Sequence, residues 1–443
     1  MLERLTLTEM SRRIRERELD ARELLAAHLR RIDEVNPQVN AFVRVLKEHD
    51  FDSLPQGPLH GVPVTIKDGF DVEGLPTLAG SRFRESHVAA CDAPSVARLR
   101  QAGAVLLGKT NVPELLSSYE TDNFVTGRTN NPANLECTPG GSSGGEAAAI
   151  ASYCSPGGIG SDGGGSIRVP AHFCGIAGFK PTHRIISGRG QFPGAVPPVG
   201  MMASPGPMAR NVADVRLLFD VLRGVDAFDS MSTALPETQF PAKVRIGVLR
   251  QFYGVPVHPA IAGAVEKAAS ALSKLGFEVV EFSLQGQERA PNVWAFFFGE
   301  LAAFNTRGYL AGREADAHWT LTENLREAPA PDAVALLAQF AERERLRSSM
   351  LRQMEDVPFL LMPPGSIPAF RHRERRWSIG EKKVSLFPAM ALVTMWNLFG
   401  FPALAMPASK TAEGLPAGVQ IVGRPFSDRH VLEIGERLER AGL

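Results

Sequence analysis

Between Thr138 and Gly190 the chain is exceptionally rich in glycine and serine, a composition that alone describes a loop. The same segment encloses Glu146-Ala-Ala-Ala-Ile-Ala-Ser152, whose alanines favour a helix. A flexible linker has no use for such a helix, so this stretch is expected to fold. Its runs are Gly140-Gly-Ser142-Ser143-Gly-Gly and Gly160-Ser-Asp162-Gly163-Gly164-Gly165-Ser166-Ile-Arg168-Val-Pro170, with Cys174-Gly-Ile-Ala-Gly-Phe-Lys180-Pro-Thr182 behind them. Three consecutive glycines before a serine let backbone N–H groups approach a substrate oxygen without side-chain obstruction, which an oxyanion hole requires.

The flanking segments alternate helix and strand. Asp20 caps a helix over 20–36 that carries Leu24, Leu25, Leu29 and Ile32 on one face and is expected to stop at Asn36-Pro37. Gly61-Val-Pro-Val-Thr-Ile66 reads as a strand ending at Lys67-Asp68, followed by a helix from Pro94 to Gly103 and a strand over Ala104-Val-Leu-Leu107. Val244 to Leu249, an alanine-rich helix from Pro259 to Leu275, and Phe277 to Phe282 form a second β-α-β pattern. Residues 286–356 read as mostly helical, with Glu342-Arg-Glu-Arg-Leu-Arg347 as a solvated face, and Val357 to Met362 returns to a strand. The fold class is therefore α/β, a sheet covered by helices. Residues 1–443 are expected to form one domain, with an N-terminal helical layer over about 1–50 packed on it.

The charges balance: 48 Lys+Arg against 48 Asp+Glu give a formal net charge of zero. Without a long-range field the chain is not suited to nucleic acid or anionic membranes, and a small molecule becomes the expected partner. The basic run Arg371-His-Arg-Glu-Arg-Arg376 contains a glutamate and stands alone, so it reads as an exposed loop. The apolar stretch Leu386 to Ala408 is interrupted by Thr394, Asn397, Gly400 and Pro402, so it reads as core or an apolar substrate wall rather than a membrane span. Cys91, Cys137, Cys154 and Cys174 show no C-x-x-C spacing, and the N-terminus carries charge where an export signal would be apolar. A reduced, cytoplasmic setting is expected, with no metal or organic cofactor. A homo-oligomer is compatible with the sequence.

Three familiar patterns match without their context. Gly103-Ala-Val-Leu-Leu-Gly108-Lys109-Thr110 satisfies the P-loop, but its central residues read as a strand rather than a phosphate-wrapping loop. Gly158-Ile-Gly160-Ser-Asp-Gly163 follows a helix and Ser155-Pro156 where a dinucleotide site needs a strand. Gly140-Gly-Ser142-Ser-Gly144 has the form of a nucleophile elbow, which needs an acid and then a histidine downstream, and no downstream histidine sits in a distinctive setting.

A serine is a poor nucleophile without a base, and a lysine kept neutral by burial can supply one. Lys67 closes an apolar strand and is the candidate; as an isolated residue it would read far more readily as an ordinary exposed strand-end lysine, and the Gly/Ser stretch as a surface loop. The run Gly140 to Thr182, with Gly61 to Asp68 upstream and Gly418-Val-Gln-Ile-Val-Gly-Arg-Pro-Phe426 near the end, resembles the amidase signature family across essentially the whole chain. The resemblance implies the fold of that family, a mixed central sheet surrounded by helices, and a Ser-cis-Ser-Lys triad. Lys67 matches the lysine, Ser142 the bridging serine after a cis bond, and Ser166 the nucleophile. Gly163, Gly164 and Gly165, with the Ser166 N–H, match the oxyanion hole. Ser143 is expected to support the relay, and Asp162 and Arg168 to hold the loop; Thr138, Phe192, Trp396 and Phe399 belong either to the pocket wall or to the core.

The implied activity is hydrolysis of a carboxylic amide to acid plus ammonia or amine through an acyl-enzyme, with a small-molecule amide as substrate. Ser118 to Pro132 and Gly188 to Pro193 look closest to the fatty-acid-amide-hydrolase-like or general amidase branch. The alternative is the glutaminase (A) subunit of a Glu-tRNA(Gln) amidotransferase. Against it, His183-Arg-Ile-Ile-Ser187 stands where that subunit typically continues with a tyrosine and Gly-Arg-Val-Ser.

Overall fold

The computed structural model describes residues 1–443 except 195–198, 324 and 326–331. Its strands in chain order are β1 (Phe42–Val45), β2 (Pro63–Lys67), β3 (Val105–Thr110), β4 (Gly157–Asp162), β5 (Ala177–Lys180) and β6 (Ser204–Ala209). They continue with β7 (Arg245–Val248), β8 (Glu278–Glu281), β9 (Phe359–Met362), β10 (Arg376–Ile379), β11 (Lys382–Ser385), β12 (Ala403–Lys410) and β13 (Pro416–Gly423). β10 and β11 form a separate hairpin, and the others an 11-stranded mixed sheet in the order β1-β3-β2-β4-β6-β5-β12-β13-β9-β7-β8. The pairings β3-β2-β4 and β9-β7-β8 are parallel, and those between and beyond them antiparallel. Each parallel end contains one of the β-α-β patterns read from the sequence. Their crossover helices are Pro94–Gln101 and Pro259–Lys274.

The largest apolar cluster joins the sheet to helices Val212–Leu222, Pro259–Lys274 and Asp428–Arg440 through residues such as Phe179, Phe219, Ala268, Leu404, Ile421 and Leu432. Each large apolar side chain fully buried in this way stabilises the fold by roughly 1.5–3 kcal/mol. A second cluster gathers Trp294, Phe297, Leu346, Met395, Trp396 and Phe399.

Several local expectations need correction. The helix capped by Asp20 runs as Ala21–Val39, through Pro37, because a proline in the last turn removes only one hydrogen bond; Asn40, left-handed at φ 54°, ends it. Residues 1–50 are not helical throughout, since β1 joins the sheet as an edge strand against β3. The run 342–347 is not wholly solvated: Arg343 Nε donates to Leu398 O at 2.8 Å and Arg347 Nε to Phe399 O at 2.9 Å, at the end of helix Ala391–Phe399. The apolar stretch 386–408 is core and cavity wall, as expected, and divides into helices Leu386–Ala389 and Ala391–Phe399 and strand β12. Among the described residues no helix is long and apolar enough to cross a membrane.

Candidate active site

Lys67 ends β2 and Ser161 stands one residue before the end of β4, its parallel neighbour. Both therefore sit at the carboxyl ends of adjacent parallel strands, where open α/β sheets place their sites. The two strands approach closely at Gly158, where a methyl group would lie 2.1 Å from Thr65 O. That glycine of the dinucleotide-like match thus serves sheet packing.

Lys67 Nζ lies 2.7 Å from Ser142 Oγ, 3.0 Å from Ser161 Oγ and 3.3 Å from Ser161 O. Ser142 follows a cis Gly141–Ser142 peptide just before helix Gly144–Ala151. The Lys67 side chain is fully buried. Desolvation brings its amine down to about 7, against the pull of Asp162 and Glu146 toward the charged form. An amine in this state can take a proton from a hydroxyl at neutral pH. Glu146 is itself buried and pushed up to about 7 by desolvation, and accepts from Thr65 Oγ1 at 2.5 Å and Thr110 Oγ1 at 2.8 Å.

Ser166 lies on the loop between β4 and helix Arg168–Cys174, and its carbonyl accepts from Ser143 N at 3.1 Å. Ser143 Oγ donates to Ser161 O at 3.3 Å, linking the two serine-bearing segments. Asp162 accepts from the N–H groups of Gly165 (2.6 Å), Ile167 (3.1 Å) and Arg168 (3.3 Å). Arg168 grips the same carboxylate with Nε and Nη2, each at 3.0 Å, and reaches Gln420 Oε1 at 2.8 Å and Asn397 Oδ1 at 2.5 Å. Burial opposes ionisation of Asp162, but Arg168 holds its carboxyl well below the usual carboxylate range. One expected residue changes place here: the Gly165 N–H is engaged by Asp162, so Gly165 is a fastening point of the loop rather than an oxyanion donor.

Ser142, Ser161, Gly163, Gly164 and Ser166 share one wall of a cavity of about 1150 Å³. Leu115, Phe192, Trp294, Phe298, Tyr309 and Phe387 are among the side chains that make the rest of its lining apolar. Of the four residues left between wall and core, Phe192 lines the cavity. Trp396 and Phe399 pack in the second apolar cluster, and Thr138 Oγ1 accepts from Gly140 N at 3.1 Å. Among the described residues no histidine lines the cavity, and the buried His172 ring is held by Gly418 N at 2.9 Å and Ile367 O at 3.2 Å, which removes the elbow reading. The P-loop match lies on β3, with Lys109 Nζ 2.7 Å from Asp68 Oδ1 in the interior. Sequence reasoning does not single out Ser161, although its place one step before Asp162 on a strand aims it away from Asp162 and toward Lys67. The stretch Arg371 to Arg376 is not simply an exposed loop, since Arg375 and Arg376 border the cavity and Arg375 pairs with Glu120 and Glu323.

This sheet, with a buried amine beside a serine and a glycine loop at its carboxyl ends, is that of amidohydrolases, enzymes acting on C–N amide bonds. The family model "Amidase" matches residues 23–432, and the chain belongs to that family, the amidase signature enzymes. The A-subunit of glutamyl-tRNA(Gln) amidotransferase from Geotalea daltonii is 31% identical, with 98% of this chain and 97% of that protein covered. The structure of 6-aminohexanoate cyclic dimer hydrolase with its substrate superposes with a TM-score of 0.88 at 30% identity, over 99% of this chain and 97% of that one. Fatty acid amide hydrolase shares the fold, with a TM-score of 0.83 at 24% identity over 100% of this chain and 86% of that one.

Proposed function

We propose that the protein is a stand-alone serine amidohydrolase for amides larger than glutamine, with Ser166 as nucleophile and Ser142 and Lys67 as its proton relay. The observation that carries this is the 2.7 Å contact of the buried Lys67 amine with Ser142, on the cavity wall that also presents Ser166. Neutral Lys67 takes the Ser142 proton while Ser142 takes that of Ser166, and Ser166 attacks the amide carbonyl. The N–H groups of Gly163, Gly164 and Ser166 receive the charge that develops on oxygen, and losing one such donor costs about 10²–10³ in rate. Ser142 returns the proton to the leaving amine, and water then cleaves the acyl-enzyme.

The similarity to the glutamyl-tRNA(Gln) amidotransferase protein supports a second reading, a glutaminase acting within a complex. The cavity weighs against it: about 1150 Å³ with aromatic walls is more than the roughly 300–1,000 Å³ typical of sites for drug-sized ligands. The test sets wild type beside Ser166→Ala on glutamine, short aliphatic amides, aryl amides and long-chain acyl amides, following ammonia or amine release. Release from aryl or acyl amides that vanishes in the variant is expected. Release from glutamine alone, or none until a partner protein is added, would establish the second reading.

A further inference from the structure

The glycine loop that faces the cavity is held by two aromatic side chains from remote segments. The indole N–H of Trp294 donates to Gly163 O at 2.9 Å, and the hydroxyl of Tyr119 donates to Gly164 O at 2.6 Å. In a trans peptide the carbonyl and the following N–H point in opposite directions, so fixing the one aims the other. Holding Gly164 O turns the Gly165 N–H onto Asp162 Oδ1, where it is found at 2.6 Å. Holding Gly163 O turns the Gly164 N–H away from Trp294, and Gly164 lines the cavity.

Trp294 is itself well fixed. It stands in helix Ala290–Ala295, which passes directly into a π-helical turn, Phe296–Leu301, and its ring stacks on Phe298 with centroids 5.2 Å apart and planes 12° from parallel. The ring edge lies so close to the loop that a methyl group on Gly164 would be 2.3 Å from Trp294 Cζ2. Tyr119 is buried beside the loop and, with its neighbour Ser118, lines the cavity. Neither side chain belongs to the Ser/Lys relay.

We infer that Trp294 and Tyr119 are positioning residues that clamp the Gly163 and Gly164 carbonyls and thereby aim the Gly164 N–H at the oxygen of the reacting carbonyl. The inference rests on the proposed role of Ser166. It predicts a loss in the rate of attack and little change in the affinity of the ground state, since the donor matters most once charge develops on oxygen.

The test uses an alkyl fluorophosphonate, which reports on the site whatever its natural substrate. Ser166 Oγ forms a bond to phosphorus, the P–F bond breaks, fluoride leaves and the serine proton passes to the Ser142–Lys67 pair, while charge grows on the phosphoryl oxygen. Wild type, Trp294→Phe, Tyr119→Phe and Ser166→Ala are compared for kinact and KI, with melting temperatures measured alongside. Tyr119→Phe keeps the ring and removes only the hydroxyl, whereas Trp294→Phe removes the indole N–H together with one of its two fused rings, so its KI also reports the altered cavity wall. Each variant is expected to lower kinact about ten-fold or more, with KI within about two-fold for Tyr119→Phe, which changes no ring of the cavity wall, and the double variant to lose less than the product of the two because both act on one loop. A wild-type kinact in both variants, with Ser166→Ala unlabelled, overturns the clamp and leaves the nucleophile standing. Labelling of Ser166→Ala at the wild-type rate, or no labelling of wild type, overturns the nucleophile and the clamp with it. A lowered melting temperature with unchanged kinact assigns the two hydrogen bonds to stability alone and also rejects the clamp.

Discussion

A lysine that has to accept a proton is kept where water does not solvate it, and this has two consequences of opposite sign. Burial lowers Lys67 from an ordinary 10.5 to about 7, so activity requires the neutral form that prevails above that value. We expect kcat/KM to rise with pH through a limb centred near 7; a limb near 10 instead would identify another base. Glu146 favours the protonated amine, so Glu146→Gln should move this limb to lower pH, and a shift upward would contradict the arrangement. For stability the sign is set by proton binding. Between about 7 and 10.5 the unfolded chain binds a proton on this lysine that the folded chain lacks, so folding stability rises with pH across that window. At pH 7 and below the penalty is on the order of 5 kcal/mol, and above 10.5 it is gone. Lys67→Met should therefore lose activity by orders of magnitude yet gain stability at pH 7, offset in part by the Ser142 and Ser161 hydroxyls that lose the amine. Urea unfolding checks this: the difference between the two proteins should shrink as pH approaches 10, and a constant difference would refute the buried neutral amine.

At the scale of elements, charge runs show why local reading stops short. Arg343 and Arg347 are four residues apart on helix Ala333–Gln353, so they share a face, and both donate to carbonyls at the C-terminus of helix Ala391–Phe399. Cations there satisfy the carbonyls that a helix leaves unpaired and meet the negative end of its dipole. Arg345, between them, faces solvent and pairs with Glu342 at 2.7 Å. Arg343→Ala should lower stability by about 1.5–3 kcal/mol, because a hydrogen bond from a charged group to a buried carbonyl is lost. Arg345→Ala should change it by less than about 0.5 kcal/mol. Chemical denaturation distinguishes them, and equal losses would contradict the docking. The sequence shows three arginines of one kind, and what separates them is a helix end some 50 residues downstream. The β-α-β units, by contrast, are legible, since a strand, a helix with a proline start and a second strand are specified within about 50 residues by periodicity and end signals. Helix ends are less so, because Pro37 is tolerated wherever the turn it weakens is the last.

Across the whole molecule the same contrast separates the reacting groups from the space they face. Ser142, Ser143, Asp162, Ser166 and Arg168 lie within one folded segment, and Lys67 at a strand end whose apolar pattern is visible, so the resemblance could name them by position. The cavity is different: Leu115, Phe192, Trp294 and Phe387 come from four distant stretches, brought together only by the strand order of the sheet and the helices covering it. No local pattern announces such a wall, and an aromatic residue such as Trp396, equally prominent in sequence, ends in the core. If this space holds the acyl group, filling it should discriminate by substrate size. Ala302 lines the cavity and is only half-buried, so a larger side chain can be accommodated there without overpacking the core. Ala302→Trp should lower kcat/KM for long-chain acyl p-nitroanilides about ten-fold or more while leaving acetamide hydrolysis within about two-fold, as steric exclusion by a pocket wall acts on the substrate that reaches it. Equal losses on both substrates would mean that the change disturbs the reacting centre, and unchanged rates on both would place the acyl group elsewhere than against this wall.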